Sequence, residues 1–468
     1  MALLSQYSAT FSLKVKPISP LVSFLGSSVQ IKKSISLITV PSSSSSSSLF
    51  RIRCYSALSE RPIRYAVLGA GYAGLSVVWH LLQESPKESH LFIDIYDEVG
   101  FGGGASGVSG GLLHPYSPKV KLLWRGEECW KESLNLLRIA EDVKVSKSLY
   151  FKEQEDHGQI GNDFMVGRSG ILRPAHSVKN MEIMIDNAQK GLPSCRIERI
   201  DKEAAHELIP GLYVPLDLAF HMPQALTVNS QCYLKALYSA CQLSAKESPN
   251  SGGALKELRL HKKPINRLLD LAGEYDAVII CLGARAAFLP ELSGRIPLRT
   301  CRGIIAHLKV DDDVRDGYPA DSPSILSDAW IAFHGPQDLR VGATWDWNSR
   351  NYSRGVSREE GNKAIEELLH RKASAMYPAI KNMTTVTGMS GGLRAVPPLT
   401  PQGSLPLLGC VDEFVSGNQT DNKFWLLTGL GSRGLLYHGW VGKLMARAVL
   451  SRDEGLIPYE LISWKSII

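Results

Sequence analysis

Residues 66–82, AVLGAGYAGLSVVWHLL, constrain this chain more than any other stretch. Gly69, Gly71 and Gly74 follow a short apolar run and open an apolar helical pattern. Residues 63–68 read as a strand, 73–84 as a helix and 91–97 (LFIDIYD) as a second strand. Strand, glycine turn, helix, strand is the opening half of a Rossmann-type unit. Gly69 permits the tight turn, Gly71 lets backbone approach a pyrophosphate, and Gly74 allows close helix–strand packing. Tyr72 and Ala73 begin the helix, whose unpaired N–H groups and dipole favour negative charge. Asp97 follows Gly74 by 23 positions, the spacing of a ribose-binding acid; Asp94 takes that role if the strand register differs. The bland alternative is an ordinary glycine turn. The strand, helix and acid around it favour a bound dinucleotide.

Three further features decide which dinucleotide. The loop at 104–111, with Ala105, Ser106, Ser109, Gly110 and Gly111, follows the second strand almost at once. Its backbone can cross a phosphate and flavin region, which a nicotinamide domain does not need. Gly283 ends a later apolar strand within 274–286, and Ile265 just before it is a further cofactor-side candidate. Gly431, Ser432, Arg433, Gly434 and Leu435 precede a terminal helix, and a helix N-terminus aimed at a flavin stabilises negative charge on its reduced ring. Each alone reads as a turn; in this order they point to FAD.

The front of the chain has a different composition. Residues 1–54 hold no Asp or Glu but six basic residues and dense serine, ending in the run 42–48. Residues 1–55 therefore read as a transit peptide, chloroplast (stroma) first and mitochondrial second, with a disordered tail as the bland alternative. Without those six, the 52 basic residues of the whole chain fall to the 46 of its acids, so the basic surplus belongs to the leader. A broadly basic nucleic-acid surface is not supported. No run of about 18 apolar residues suggests a membrane span. The eight cysteines include no C-x-x-C pair, and no disulfide framework or metal site is expected.

The nucleotide-binding elements are spread over the front, middle and end. This predicts an α/β plus α+β fold, a Rossmann-type FAD-binding domain interrupted by an antiparallel-sheet substrate domain. The expected boundaries are 62–145, 226–295 and 391–468 for the FAD domain, and 146–225 and 296–390 for the substrate domain. Residues 357–378 read as an amphipathic helix, and 244–253 as a polar loop.

In this order G-x-G-x-x-G, an acid eight residues before A-S-G, D-A-V-I-I-C-L-G-A, G-G-L-R and G-L-G-S-R-G resemble the FAD-dependent D-amino-acid oxidase and glycine oxidase (DAO) superfamily. Within it, ASGVSGGLLHP, PLRTCRGIIAHL and SLPLLGCVDEF are most similar to the oxidoreductase domain of the bacterial bifunctional enzyme of tRNA methylaminomethyl-thiouridine biosynthesis. The resemblance implies a glutathione-reductase-like FAD domain and hydride transfer from a carbon beside an amine nitrogen to flavin N5, with oxygen as acceptor. Arg394 matches the carboxylate-binding arginine, a role suited to a bidentate fork. Arg433 could contact flavin or substrate, or order its loop. His114 would enter near the ring, or be structural. No cysteine follows Arg394 where some relatives attach flavin, so FAD is expected to be non-covalent.

The departures are a long AVPPLTPQGSL segment with Gln402 but no acid, and no methyltransferase domain. The expected partner is a small amine or amino acid. A tRNA substrate, a non-catalytic FAD-binding assembly factor and an NAD-dependent dehydrogenase are the rivals; oligomeric state is not legible.

Overall fold

A six-stranded sheet grows around the glycine turn. Its order is Leu407–Cys410, Phe424–Thr428, Ala277–Ile280, Ile63–Leu68, Leu91–Tyr96 and Lys256–His261. All neighbours pair in parallel except the antiparallel edge strand Leu407–Cys410. The computed structural model describes residues 61–151, 164–246, 254–311, 321–415 and 423–467. The transit-peptide reading of 1–55 and most of the 244–253 loop lie outside them.

The parallel strands are apolar on both faces because helices cover both. Val67, Ile93 and Ile279 face one core and Ala66, Val278 and Ile280 another. Helices Tyr72–Glu84 and Gly434–Ser451 pack closely: a Cβ on Gly442 would lie 2.3 Å from Ser76 Oγ. Strand, turn and helix follow the sequence reading to within one residue at this front unit.

The second sheet has eight strands, in the order Thr384–Val396, Arg299–Val310, Asp338–Gly342, Trp330–Phe333, Ser324–Leu326, Ile171–Pro174, Leu218–Met222 and Glu198–Asp201. Only the Ser324–Leu326 and Ile171–Pro174 pair is parallel. Helix Arg358–Ile365 starts on a capping box of Ser357 and Glu360 and continues as a π helix, Glu366–Ala373. Its apolar face, including Leu368, lies in the core of this sheet.

The expected boundary at 390/391 falls inside the Thr384–Val396 strand. Gly391-Gly392 is not a turn there. Gly392 pairs with Gly303, and a Cβ on Gly303 would strike Arg394 Nη2 at 1.9 Å. Gly303 thus clears space for the Arg394 guanidinium, Gly391 for that of Arg302 (2.6 Å from a Cβ), and Gly392 for the backbone of Ala105 (3.0 Å). Similarly, AVPPLTPQGSL contains a small hairpin, Leu399–Thr400 against Gly403–Ser404. Among the described residues no helix is long and apolar enough to cross a membrane, no His/Cys/Asp/Glu group could hold a metal, and the seven cysteines are free.

Candidate active site

A cavity of about 840 Å³ opens at the carboxyl ends of the parallel strands, with the antiparallel sheet as its other wall. That end of an open parallel sheet is where ligands bind, and the volume is at the upper end of the roughly 300–1,000 Å³ typical of small-molecule sites. Gly69, Asp97, Cys281 and Gly429 line it, each just past a parallel strand.

The glycine turn is built as its chemistry requires. Gly69 has φ +105°, and a Cβ there would lie 2.4 Å from Cys281 O. A Cβ on Gly74 would lie 1.8 Å from Gly69 O; Gly74 therefore sets the packing and does not line the cavity. Gly71, Tyr72 and Ala73 do line it, at a helix start with no side-chain cap on Gly71.

Asp97 is on the cavity, while Asp94 is turned away. The Asp97 carboxylate accepts from Ala70 N–H (2.9 Å) and from Val99 and Gly100 N–H (3.0 and 2.9 Å), so it is fixed over the glycine turn. Buried Asp94 is held by His261 Nε2 (2.6 Å) and the Tyr275 hydroxyl (3.1 Å). Ile265 lines the same end with Tyr96 and Lys263.

Ala105, Ser106, Ser109, Gly110 and Gly111 form the next part of the wall. Ser106 Oγ accepts from Tyr72 N–H at 3.2 Å. Three hydroxyls close a ring: Tyr72 to Ser230 (2.6 Å), Ser230 to Ser109 (2.7 Å) and Ser109 to Tyr72 (2.8 Å). Each donates once and accepts once, so a buried polar cluster is satisfied while it ties loop to helix. His438 Nδ1–H donates to Leu435 O (2.9 Å), leaving Nε2 to accept from the Tyr233 hydroxyl (2.7 Å).

Gly283 lines the cavity, as do Gly431, Ser432, Arg433, Gly434 and Leu435 at the start of the last helix. Gly431 N–H is anchored on Ala395 O at 2.8 Å. His114 is buried, with Nδ1 3.3 Å from Tyr116 N and Nε2 3.3 Å from Arg433 Nη1. A neutral imidazole has one acceptor nitrogen, and a protonated one has none. Two facing donors therefore keep His114 neutral. Burial, then Arg433 and Arg173, also drive its pKa well below 6.5.

Arg394 is the clearest polar anchor. Its guanidinium stacks on Trp345 (4.2 Å), and Nη2 donates to Thr344 O at 3.1 Å. Nη1 is buried with no partner. Leaving a charged donor unpaired costs more than the roughly 1–3 kcal/mol of a neutral one. Burial lowers its pKa, partly offset by Cys301. Every predicted site residue except Gly74 thus meets on one cavity.

The sequence reading missed Arg173, Trp330, Trp345, Tyr352 and Arg354, all on the antiparallel-sheet side of the cavity. One signal was available: Arg173 is a lone charge between Ile171, Leu172 and Pro174.

The residues fit FAD: a glycine turn over a helix N-terminus, a fixed acid at the second strand, and a second glycine loop facing the last helix. A family model described as FAD-dependent oxidoreductase (DAO) matches residues 64–448. Glycine oxidase from Geobacillus kaustophilus superposes with TM-score 0.61 at 18% identity, covering 86% of this chain and 98% of that one. Iminodiacetate oxidase from Chelativorans sp. BNC1 gives 0.58 at 20%, covering 85% and 98%. L-proline dehydrogenase from P. horikoshii gives 0.61 at 15%, covering 87% and 98%. No curated protein matches the sequence.

Proposed function

The chain belongs to the DAO family of FAD-dependent oxidoreductases, and from that premise we propose that it oxidises the C–N bond of an amine or amino acid, with oxygen as acceptor. The observation that carries this is the buried, unpartnered Nη1 of Arg394 on the cavity. Arg394 lines the cavity, and a carboxylate bound there would pair with its guanidinium, whose plane Trp345 holds. The neighbouring fold examples act on glycine, iminodiacetate and L-proline by name, and all three are carboxylated amines.

Bound FAD supplies the acceptor for a hydride leaving the carbon next to the amine nitrogen; the resulting imine is hydrolysed by water. The chain's own residues position and exclude. His114, buried and faced by donors on both nitrogens, is a poor base for the amine proton, so on this reading the substrate enters as the neutral amine. Asp97 and Glu98 belong to the nucleotide end, Asp97 fixed over the glycine turn and Glu98 paired with Arg285. Gly69, Gly71, Tyr72, Ala73 and Asp97 would hold the adenosine diphosphate portion. Ser106, Gly110 and Gly431–Leu435 would lie along the ring, non-covalently.

The test is the visible spectrum of the purified flavoprotein under anaerobic addition of glycine, sarcosine, L-proline and D-amino acids. Bleaching by a carboxylated amine, reversed by air with peroxide release, is expected. A yellow protein that no amine bleaches overturns the oxidase reading and favours an assembly role.

One observation favours a second reading. At the cavity mouth exposed Trp345 and Trp347 stack at 5.8 Å, with Arg299 over Trp347 at 4.5 Å. Such a surface suits a nucleobase, so the amine could sit on a tRNA nucleoside; tRNA retention with steep salt dependence would mark that case. We assign the protein to the chloroplast stroma on its leader's composition, to be tested with a fluorescent fusion of residues 1–60.

A further inference from the structure

The cavity holds a second cationic station apart from Arg394. Arg173 projects from the Ile171–Pro174 strand, whose parallel neighbour ends at Leu326; Leu326 and Ser327 line the cavity beside it. Arg433 caps the last helix and contacts His114. Among the described residues neither guanidinium has a carboxylate within 4.0 Å, and no protein acceptor of a hydrogen bond from the Arg173 side chain is present. Arg173 feels Arg433 as a like charge, and burial with that repulsion takes its pKa down to about 10. Asp328 is the acid that offsets this, and it sits exposed on the turn after Ser327, beyond ion-pair reach. His114, in contact with Arg433, stays neutral.

Two guanidiniums that line one cavity without a carboxylate partner forgo solvation and leave their charge uncompensated. Such an arrangement persists where an anion completes it. Arg394 lies on the first strand of the eight-strand order and Arg173 on the sixth. Four strands therefore stand between the two along that wall of the cavity.

We propose that Arg173 and Arg433 form a second anion-binding station, and that the substrate is an elongated amine carrying two anionic groups, one on Arg394 and one on this pair. This rests on the amine-oxidase reading and narrows its substrate class.

The test is binding to the FAD-loaded protein without turnover, read from perturbation of the flavin spectrum at fixed ionic strength. Dicarboxylates from malonate to suberate are compared with monocarboxylates of the same length. One length of dicarboxylate should bind about tenfold tighter than its monocarboxylate, as expected for a charge-assisted contact. Arg173→Gln should bring that ratio to twofold or less with monocarboxylate binding kept, and Arg173→Lys should restore part of it. A wild-type ratio near one at every length overturns the proposal, whether or not the variants hold FAD. So does a preference that survives Arg173→Gln, or an Arg173→Gln effect confined to the flavin reduction potential. Failure of the oxidase reading would show separately, as a protein that binds these acids yet is bleached by no amine.

Discussion

Arg394 and His114 carry opposite duties because their surroundings differ. Arg394 has one donor bonded to Thr344 O and one buried without a partner, the feature on which its proposed carboxylate-binding role rests. Arg394→Gln should lower kcat/KM for a carboxylated amine by about a hundredfold, the worth of a charged hydrogen bond of about 3 kcal/mol, while the flavin spectrum is retained. Steady-state kinetics beside an absorbance scan check this. His114 faces donors on both nitrogens and its pKa lies well below 6.5. It should therefore contribute no inflection near neutrality. The expected kcat/KM profile rises with pH as the substrate amine loses its proton, and His114→Gln should leave that rise at the same pH. A profile from pH 5.5 to 10 with both proteins decides it.

The long Arg299–Val310 and Thr384–Val396 pair shows how an element can build a site indirectly. Arg302, on the first of these strands, is almost fully buried. It pairs with Glu360 (2.8 Å) and donates to the carbonyls of Asn351 and Ser353 (2.8 Å each) and Gly355 (2.7 Å). Those carbonyls belong to the loop that brings Tyr352 and Arg354 to the cavity. Arg302→Leu should cost about 3 kcal/mol of stability, by urea unfolding, and expose the loop near residue 352 to limited proteolysis. This element also marks where sequence reading stops. The front strand, glycine turn, helix and acid were legible because each obeys a local rule of spacing and backbone geometry. GGLR was legible as a motif, but nothing local showed that Gly391 lies within a strand and makes room for the Arg302 guanidinium of the strand beside it. Arg173 and Trp330 reach the cavity through strand order and Arg354 through the loop that Arg302 holds; beyond the lone charge at Arg173, no local pattern marks them.

At the scale of the molecule the two sheets share one compact unit, Ser59–Ile468, and bury several histidines. His307 and His438 are pushed down to about 4 and His334 to about 3, chiefly by burial. Their unfolded pKa is about 6.5, so as pH falls below that value the unfolded chain takes up protons the folded one refuses. Stability should therefore be lost between pH 6.5 and about 4, with about 3 kcal/mol from His438 alone across that window. Urea midpoints at pH 7.5 and 5 measure the loss, and an unchanged midpoint would contradict these neutral histidines. The strand order of the parallel sheet has one more consequence, for how the protein is made. Its central strand, Ile63–Leu68, lies next to Ala277–Ile280, which in turn waits for Phe424–Thr428. A chain that emerges or is translocated amino end first therefore presents its glycine turn hundreds of residues before the opposite wall arrives. Until then the wall that Gly429 and Gly431–Leu435 complete is missing, and the half-built sheet edge is a surface for chaperones to guard.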